Sequence, residues 1–391
     1  MTHGRTGFVA SHLSNVPRSG IRDFFEIVSA RKDIVSLGIG EPDFNSPWHI
    51  CEASVFALEH GATSYTSNLG LLSLRQAISE YAENTHQLRY DPETEILITV
   101  GVSEALDLAV RAVINPGDEV LYHEPSFVSY APVVTFSHGS AIAVPTSREV
   151  GFRVTRDALD AAVTERTRVL ILNYPTNPTG AVLTKENIVQ IADFAIEHDL
   201  VVITDEIYAE LTFEDRHVSI ASIPGMKERT IFLHGFSKAW AMTGFRIGYA
   251  CSTPELTEAM MKIHQYTMMC APILAQKAAL EAITNGDEDV VFMRSEYAKR
   301  RNYICSSFNE MGIPCDVPKG AFYAFPYIGE FGLSSRDFSL KLLDEKSVAC
   351  VPGSAFGPSG EGYLRCSFAA DFDTIKIAMQ RIGDFVSGLK T

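Results

Sequence analysis

The stretch TIFLHGFSKAWAMTGFRIGYA, residues 230–250, says most about the fold of this chain. Its first residues, 230–233, form an apolar run typical of a buried strand, and residues 245–250 are predicted to form another. Between them lie Lys238 and Arg246, eight residues apart on either side of a glycine turn. A single loop lysine is usually a solvated charge, but this spacing allows the amine and the guanidinium to point into one cavity.

Short apolar runs alternate with helical stretches on the amino-terminal side of this segment. Strands are predicted at 95–100, 119–122, 168–172 and 200–204, and helices at 185–198 and after Ser103, a good N-cap residue. Strands joined by helices usually run parallel, so the sequence predicts an α/β fold with a largely parallel sheet covered on both faces. Beyond residue 290, a charged helical stretch (293–309) and a strand-like segment (318–326) predict a second, smaller α+β domain.

Polar residues follow two of the predicted strands. The run VVITDE (201–206) ends in two acids, as does the magnesium-binding strand of phosphate-loop NTPases, but the chain lacks the GxxxxGK[ST] motif which that interpretation requires. The run NYPTNPTG (173–180) predicts either an ordinary turn or a rigid loop that presents Asn177 to a ligand. The bond before Pro178 is a candidate for a cis peptide. Open parallel sheets bind ligands at the carboxyl ends of their strands, so both runs lie where chemistry is expected.

Composition narrows the class of protein. A formal net charge of -15 over 391 residues argues against a nucleic-acid partner. The seven cysteines form no CxxC pair, which is typical of reduced thiols in a cytosolic protein. Neither an HExxH motif nor a Cys/His group with zinc spacing is present, so no metal site is expected. The start of the chain does not resemble a signal peptide and no apolar run has membrane-spanning length, so we expect a cytoplasmic protein with no membrane partner.

Eight motifs together resemble the pyridoxal 5'-phosphate (PLP)-dependent aminotransferases of the aspartate aminotransferase superfamily, class I/II and fold type I. The subgroup of prokaryotic aspartate and aromatic aminotransferases is the most similar. The motifs, in order, are SLGIGEPDF (36–44), SYTSNLGLLSLRQAI (64–78), TVGVSEALDLA (99–109), NYPTNPTGAVL (173–183), TDEIY (204–208), GFSKAWAMTGFRIGY (235–249), PKGAFYAFP (318–326) and VPGSAFGPSGEGYLRCSFA (351–369).

This resemblance implies a domain organisation and an assembly. Residues 48–290 would form a large PLP-binding domain with a mostly parallel seven-stranded sheet. Residues 1–47, an amino-terminal arm with part of the small domain, would combine with residues 291–391. The family pattern also implies a homodimer with shared active sites.

The resemblance assigns the catalytic roles. Lys238 corresponds to the lysine that carries PLP as a Schiff base and acts as general base. Asp205 corresponds to the acid that keeps the pyridine nitrogen protonated. Asn177 and Tyr208 correspond to donors for the phenolic oxygen of the cofactor.

Further positions correspond to residues that bind the cofactor phosphate or ring. Val102 and Ser103 begin a helix whose amide groups suit a dianion, and Arg246 would add a bidentate clamp. Tyr65 corresponds to a phosphate ligand from the neighbouring subunit. Phe127 corresponds to the aromatic residue that stacks on the ring, with an ordinary core position as the alternative.

Three residues correspond to positions that surround the substrate carboxylate. Arg365 lies in an apolar strand, where an unpaired guanidinium is costly, and it matches the arginine that binds the substrate α-carboxylate. Gly40 would let the backbone approach the same carboxylate, with Asn177 beside it. The chain departs from the family pattern at Gly235, where a serine or threonine phosphate ligand is common and Ser237 could compensate, and at His234, where asparagine is common.

The implied activity is transfer of the amino group of an aromatic or aspartate-like L-amino acid to a 2-oxo acid such as 2-oxoglutarate, by a ping-pong mechanism. Phe24, Phe25 and Tyr65 suggest the hypothesis of an apolar or aromatic substrate. Two alternatives stay open: a PLP-dependent β-eliminating C–S lyase with the same lysine, aspartate and arginine, and a ligand-sensing protein that shares the fold.

Overall fold

The computed structural model describes residues 8–14, 16–29 and 33–389, without the side chains of residues 23–25 and 29. The described helices are α1 (Gly20–Ser29), α2 (Trp48–Glu59), α3 (Leu72–His86), α4 (Gly101–Val113), α5 (Tyr130–Phe136), α6 (Arg156–Ala162), α7 (Lys185–Glu197), α8 (Pro254–Thr267), α9 (Ile273–Asn285), α10 (Asp287–Glu310), α11 (Ser335–Lys346) and α12 (Phe372–Leu389). The strands are β1 (Val35–Ser36), β2 (Ile96–Thr99), β3 (Glu119–Glu124), β4 (Ser140–Pro145), β5 (Thr167–Asn173), β6 (Val201–Asp205), β7 (Thr230–Gly235), β8 (Gly248–Cys251), β9 (Tyr323–Ala324), β10 (Val348–Ala349), β11 (Val351–Pro352) and β12 (Leu364–Ser367).

A seven-stranded sheet organises the molecule, with strand order β2-β8-β7-β6-β5-β3-β4. The pairs from β7 through β4 are all parallel, and β8 pairs antiparallel with both of its neighbours. This arrangement confirms the predicted α/β fold of type I with a mostly parallel sheet.

Helices cover both faces of this sheet, and the alternation of side chains along each strand explains how. Ile203 of β6 packs in a cluster with Leu106 and Ala109 of α4. Its neighbour Val202 points to the opposite face and packs with Ile191 of α7. Because both faces are buried, the central strands are apolar on both sides, as the sequence predicted.

The carboxyl-terminal elements form a second packing unit. Side chains from α10, α12 and β12 contribute to one buried cluster that includes Phe308, Ile382 and Cys366. The short strand β1 pairs with β10 in parallel, with Val35 opposite Val348, so the amino-terminal segment joins this unit. The division at residues 47 and 290 stays a prediction.

Three local predictions need correction. Ser103 is not an N-cap, because α4 begins at Gly101. The residue before the helix is Val100, whose amide donates a hydrogen bond to the Glu104 carboxylate. The strand predicted at 245–250 begins only at Gly248, since Arg246 adopts a left-handed backbone with φ of 52°. The segment 318–326 contains only the two-residue strand β9.

No helix among the described residues is long and apolar enough to cross a membrane.

Candidate active site

One edge of the sheet collects the ends of several strands. Asn173, the last residue of β5, lies opposite Asp205, the last residue of β6. Gly235 at the end of β7 lies opposite Gly248, where the antiparallel strand β8 begins. The residues that follow β5, β6 and β7 and the residue that precedes β8 therefore lie at the same edge of the sheet.

A cavity of about 370 Å³ opens at this edge. Eleven of the twelve residues singled out from the sequence line it: Gly40, Val102, Ser103, Phe127, Asn177, Asp205, Tyr208, Ser237, Lys238, Arg246 and Arg365. The twelfth, Tyr65, has 80% of its surface exposed and does not line the cavity of its own chain. The side chains of Phe24 and Phe25 lie outside the described part of the structure.

Lys238 directs its amine into this cavity. Nζ donates a hydrogen bond to the carbonyl oxygen of Gly40 at 2.8 Å. Burial of the amine by the surrounding protein lowers the pKa of Lys238 to about 8, against an opposing contribution from the Glu41 carboxylate. The neutral fraction of the amine, which can act as a nucleophile or base, is thus far larger near neutral pH than that of an exposed lysine.

Asp205 lies at the floor of the cavity with 6% of its surface exposed. Oδ2 accepts a hydrogen bond from the Tyr130 hydroxyl at 2.9 Å, and Oδ1 accepts one from the amide of Ile207 at 3.3 Å. Burial raises the pKa of Asp205 to about 6, although both hydrogen bonds act to lower it. Because both of these donors are neutral, the carboxylate can still pair with a cationic N–H from a ligand.

Arg365 and Asn177 form a second group in the wall of the cavity. Nη1 of Arg365 donates to Oδ1 of Asn177 at 3.0 Å, and Nη2 donates to the carbonyl oxygen of Gly38 at 2.6 Å. The guanidinium lies over the Tyr323 ring, 4.5 Å from its centroid. Its Nε is buried and has no hydrogen-bond partner among the described residues. A buried, positively charged and incompletely bonded guanidinium is suited to a ligand carboxylate.

Tyr208 and Tyr323 meet in the cavity lining, where their hydroxyl oxygens are 2.9 Å apart. Both side chains are almost fully buried. A Cβ atom at Gly40 would lie 2.7 Å from the Tyr323 hydroxyl, so the glycine leaves room for this contact.

The start of α4 and the start of β8 form a tight cradle next to Arg246. Gly101 has a φ of 74°, and a Cβ atom there would lie 2.7 Å from Nη2 of Arg246. A Cβ atom at Gly248 would lie 2.7 Å from the amide nitrogen of Val102. Free amide groups of the first helical turn beside a guanidinium form an anion site.

Residues 32–382 match the family model described as aminotransferase class I and II. The chain belongs to this family. It is 49% identical over 381 residues to a putative aminotransferase of Bacillus subtilis (97% of this chain and 99% of the relative), and 45% identical over 377 residues to an aspartate aminotransferase of Pyrococcus abyssi (96% and 97%). A solved aromatic aminotransferase from Pyrococcus horikoshii superposes with a TM-score of 0.90 at 45% identity, covering 95% of this chain and 99% of that one.

The protein is thus a PLP-dependent aminotransferase. The residues present fit PLP. The anion cradle beside Arg246 suits its phosphate, the buried Asp205 suits its pyridine nitrogen, and the Lys238 amine suits its aldehyde.

Sequence reasoning missed three polar residues of this site, namely Asn173, Tyr130 and Tyr323. Asn173 donates from Nδ2 to the carbonyl oxygen of Asp205 at 2.8 Å, and its Oδ1 accepts from the amide of Asn177 at 3.1 Å. Its place at the end of a strand beside β6 was a usable signal. Tyr130 and Tyr323 carried no such signal, because each reaches its partner from a distant part of the chain.

Proposed function

We propose that Lys238, Asp205, Asn177 and Tyr208 hold and operate the cofactor in this site. Lys238 would hold the cofactor through its amine and, when that amine is free, would take the proton from the substrate Cα and return it during transfer. Bound PLP supplies an electron sink for the pair released at Cα. Asp205 keeps the pyridine nitrogen protonated, and the amide of Asn177 with the hydroxyl of Tyr208 donates to the phenolic oxygen. The convergence of these groups on one cavity supports the proposal.

The phosphate is assigned to the cradle. Val102 and Ser103 would donate their amides, Ser237 its hydroxyl, and Arg246 a charge-assisted contact. Phe127 would lie against the cofactor ring from the opposite wall. These roles are supported by the position of all five residues on the same cavity.

Arg365 is assigned to the α-carboxylate common to the amino acid and the oxo acid. Planar bidentate pairing fits two carboxylate oxygens, and Gly40 with Asn177 completes the surroundings of that carboxylate. Both reactant classes would therefore bind by the same group, as an enzyme that alternates between them requires.

For the side chain of the substrate, we propose an aromatic donor ahead of aspartate, with an oxo acid such as 2-oxoglutarate as acceptor. Among the described lining residues, Arg246 and Arg365 are the only arginines. Arg246 is assigned to the phosphate and Arg365 to the α-carboxylate, so neither is left for a carboxylate in the substrate side chain. Glu41 adds a negative charge to the same cavity. The relatives named for aspartate and for aromatic amino acids both remain compatible with the site.

We further propose a homodimer in the cytoplasm, with Tyr65 reaching the phosphate of the neighbouring subunit. The exposed position of Tyr65, away from the cavity of its own chain, supports a role across an interface. Mixed dimers that pair Tyr65→Phe chains with Lys238→Ala chains would test it. One of the two sites in such a dimer would combine Lys238 with an intact Tyr65 from its neighbour and keep full activity.

A donor panel tests the function as a whole. Phenylalanine, tyrosine and aspartate would be compared with 2-oxoglutarate as acceptor, beside Lys238→Ala. We expect the aromatic donors to be faster, and the variant to bind PLP without covalent attachment and to lose nearly all transamination. Dominance of aspartate would overturn the substrate proposal, and normal turnover by the variant would overturn the role of Lys238. Pyruvate and ammonia released from cystathionine without an oxo acid would favour the lyase instead.

A further inference from the structure

A cluster of three titratable side chains lies apart from the active-site cavity. His86 ends α3, Glu210 follows β6 by five residues, and His234 lies within β7. Nε2 of His234 is 3.0 Å and Nε2 of His86 is 3.8 Å from Oε1 of Glu210. One nitrogen or oxygen atom from each residue lies within 4.8 Å of the other two. The three side chains are 2%, 7% and 0% exposed, in the order of the sequence.

This cluster is incompletely bonded. Both ring nitrogens of His86 and Oε2 of Glu210 are buried without a hydrogen-bond partner among the described residues. Buried polar atoms in folded proteins are rarely left in that state, because each has lost its bonds to water. The unpartnered Nε2 of His86 lies 3.8 Å from the Glu210 carboxylate, which itself has an unpartnered oxygen, so a polar group between the two residues would complete both.

We propose that His86, Glu210 and His234 bind a divalent transition-metal cation of the zinc type. Two imidazole nitrogens and one carboxylate oxygen are a ligand set that such cations accept, with water in the remaining position. The three atoms come from three separate elements, so no spacing motif in the sequence could have shown the site. The expectation of no metal site rested on spacing alone.

Neighbouring groups can orient the ligands. The Tyr81 hydroxyl donates to Oε1 of Glu210. Nδ1 of His234 is 2.6 Å from the amide nitrogen and 3.2 Å from the carbonyl oxygen of Gly235, so a contact exists for either tautomer. Donation from Nδ1 to that carbonyl frees Nε2 for the metal, the pattern common to metal-bound histidines.

A second cavity gives the cation a route from solvent. It has a volume of about 470 Å³ and is lined by His86 and Glu210 together with Glu214, Asp215 and Asp287. With Glu210, these acids outnumber the two arginines of the same lining, Arg216 and Arg294, so the net negative charge would attract a cation toward the ligands. Among the residues that the structure describes, none lines both this cavity and the one that holds the proposed active site.

Cobalt binding tests the proposal, because Co²⁺ in a site of low coordination number absorbs visible light strongly. Tag-free holoenzyme would be stripped with a chelator, titrated with Co²⁺ and then with Zn²⁺. We expect one tightly held equivalent per chain that Zn²⁺ displaces. H86N and E210Q should each weaken binding at least tenfold. The exposed His60 offers a matched control, and H60N should bind as the unsubstituted protein does.

Two results would overturn the proposal: retention of the cobalt spectrum in both ligand variants, or only weak binding that H60N reduces equally. Should a ligand variant fail to fold, anomalous scattering from Zn²⁺-soaked crystals of the unsubstituted protein decides. We expect an anomalous peak among the three side chains. The assignment would be contradicted if Zn²⁺ fully occupied other sites in the crystal and no peak appeared among these side chains. Neither readout depends on transamination.

Discussion

The hydroxyl of Tyr130 donates to Oδ2 of Asp205 at 2.9 Å, at a place where both residues are buried. This bond stabilises the ionised form of a carboxylate that burial would otherwise push toward protonation. Tyr130 begins α5, so the packing of that helix on the sheet sets the position of the bond. We infer that Tyr130 is a positioning residue, which acts on the cofactor through Asp205.

Tyr130→Phe should therefore weaken retention of PLP by roughly tenfold, the usual effect of one lost hydrogen bond to a charged group. The pKa of Asp205, raised to about 6 in the unsubstituted protein, should rise further. Because only the ionised carboxylate pairs with the pyridine nitrogen, affinity is lost as pH falls through that pKa, and the loss should begin at higher pH in the variant. Equilibrium dialysis across pH measures it, with the half-buried Tyr122→Phe as control. An unchanged midpoint would remove Tyr130 from this role.

Attachment of PLP to the apoenzyme should depend on pH through Lys238. Burial lowers the pKa of its amine to about 8, and only the neutral amine attacks an aldehyde. The rate should therefore increase as pH rises and level off above about 8. Rapid mixing of apoenzyme with PLP, followed by the change in cofactor absorbance, gives the profile. A midpoint near the usual lysine value of about 10.4 would mean that the amine is not desolvated.

The cradle predicts a contrast between two neighbouring glycines. A Cβ atom at Gly248 would lie 2.7 Å from the amide nitrogen of Val102, whereas one at Gly244 would meet no atom within 4 Å. Neither glycine has a positive φ, so backbone strain does not confuse the comparison. Gly248→Ala should displace the first turn of α4 and weaken binding of PLP and of inorganic phosphate to the apoenzyme. Gly244→Ala should bind both as the unsubstituted protein does. Equal affinities in the two variants would show that the cradle does not hold the phosphate.

Much of this architecture could be predicted because the signals are local. Asp205 ends one apolar strand and Lys238 closely follows another, and parallel strands bring such positions to one edge. Tyr130 could not be assigned, because its partner lies 75 residues away and nothing in the sequence distinguishes it from other buried tyrosines. The cluster around His86 escaped for the same reason, because three separate elements supply its atoms. The role of Tyr65 stays a prediction, because the phosphate that it is proposed to contact belongs to the neighbouring subunit.

Arg365→Lys should separate the binding of reactants from the chemistry. The guanidinium already donates to Asn177 and to the carbonyl oxygen of Gly38, and those contacts fix the plane in which it meets a carboxylate. A lysine keeps the charge but offers no planar fork, so kcat/KM should fall by roughly 10- to 100-fold, mostly through KM. Since the amino acid and the oxo acid both carry the α-carboxylate, kcat/KM should fall by the same factor in both half-reactions. The exposed Arg168→Lys serves as control. A loss confined to one half-reaction would mean that Arg365 reads the side chain of that reactant and not the group common to both.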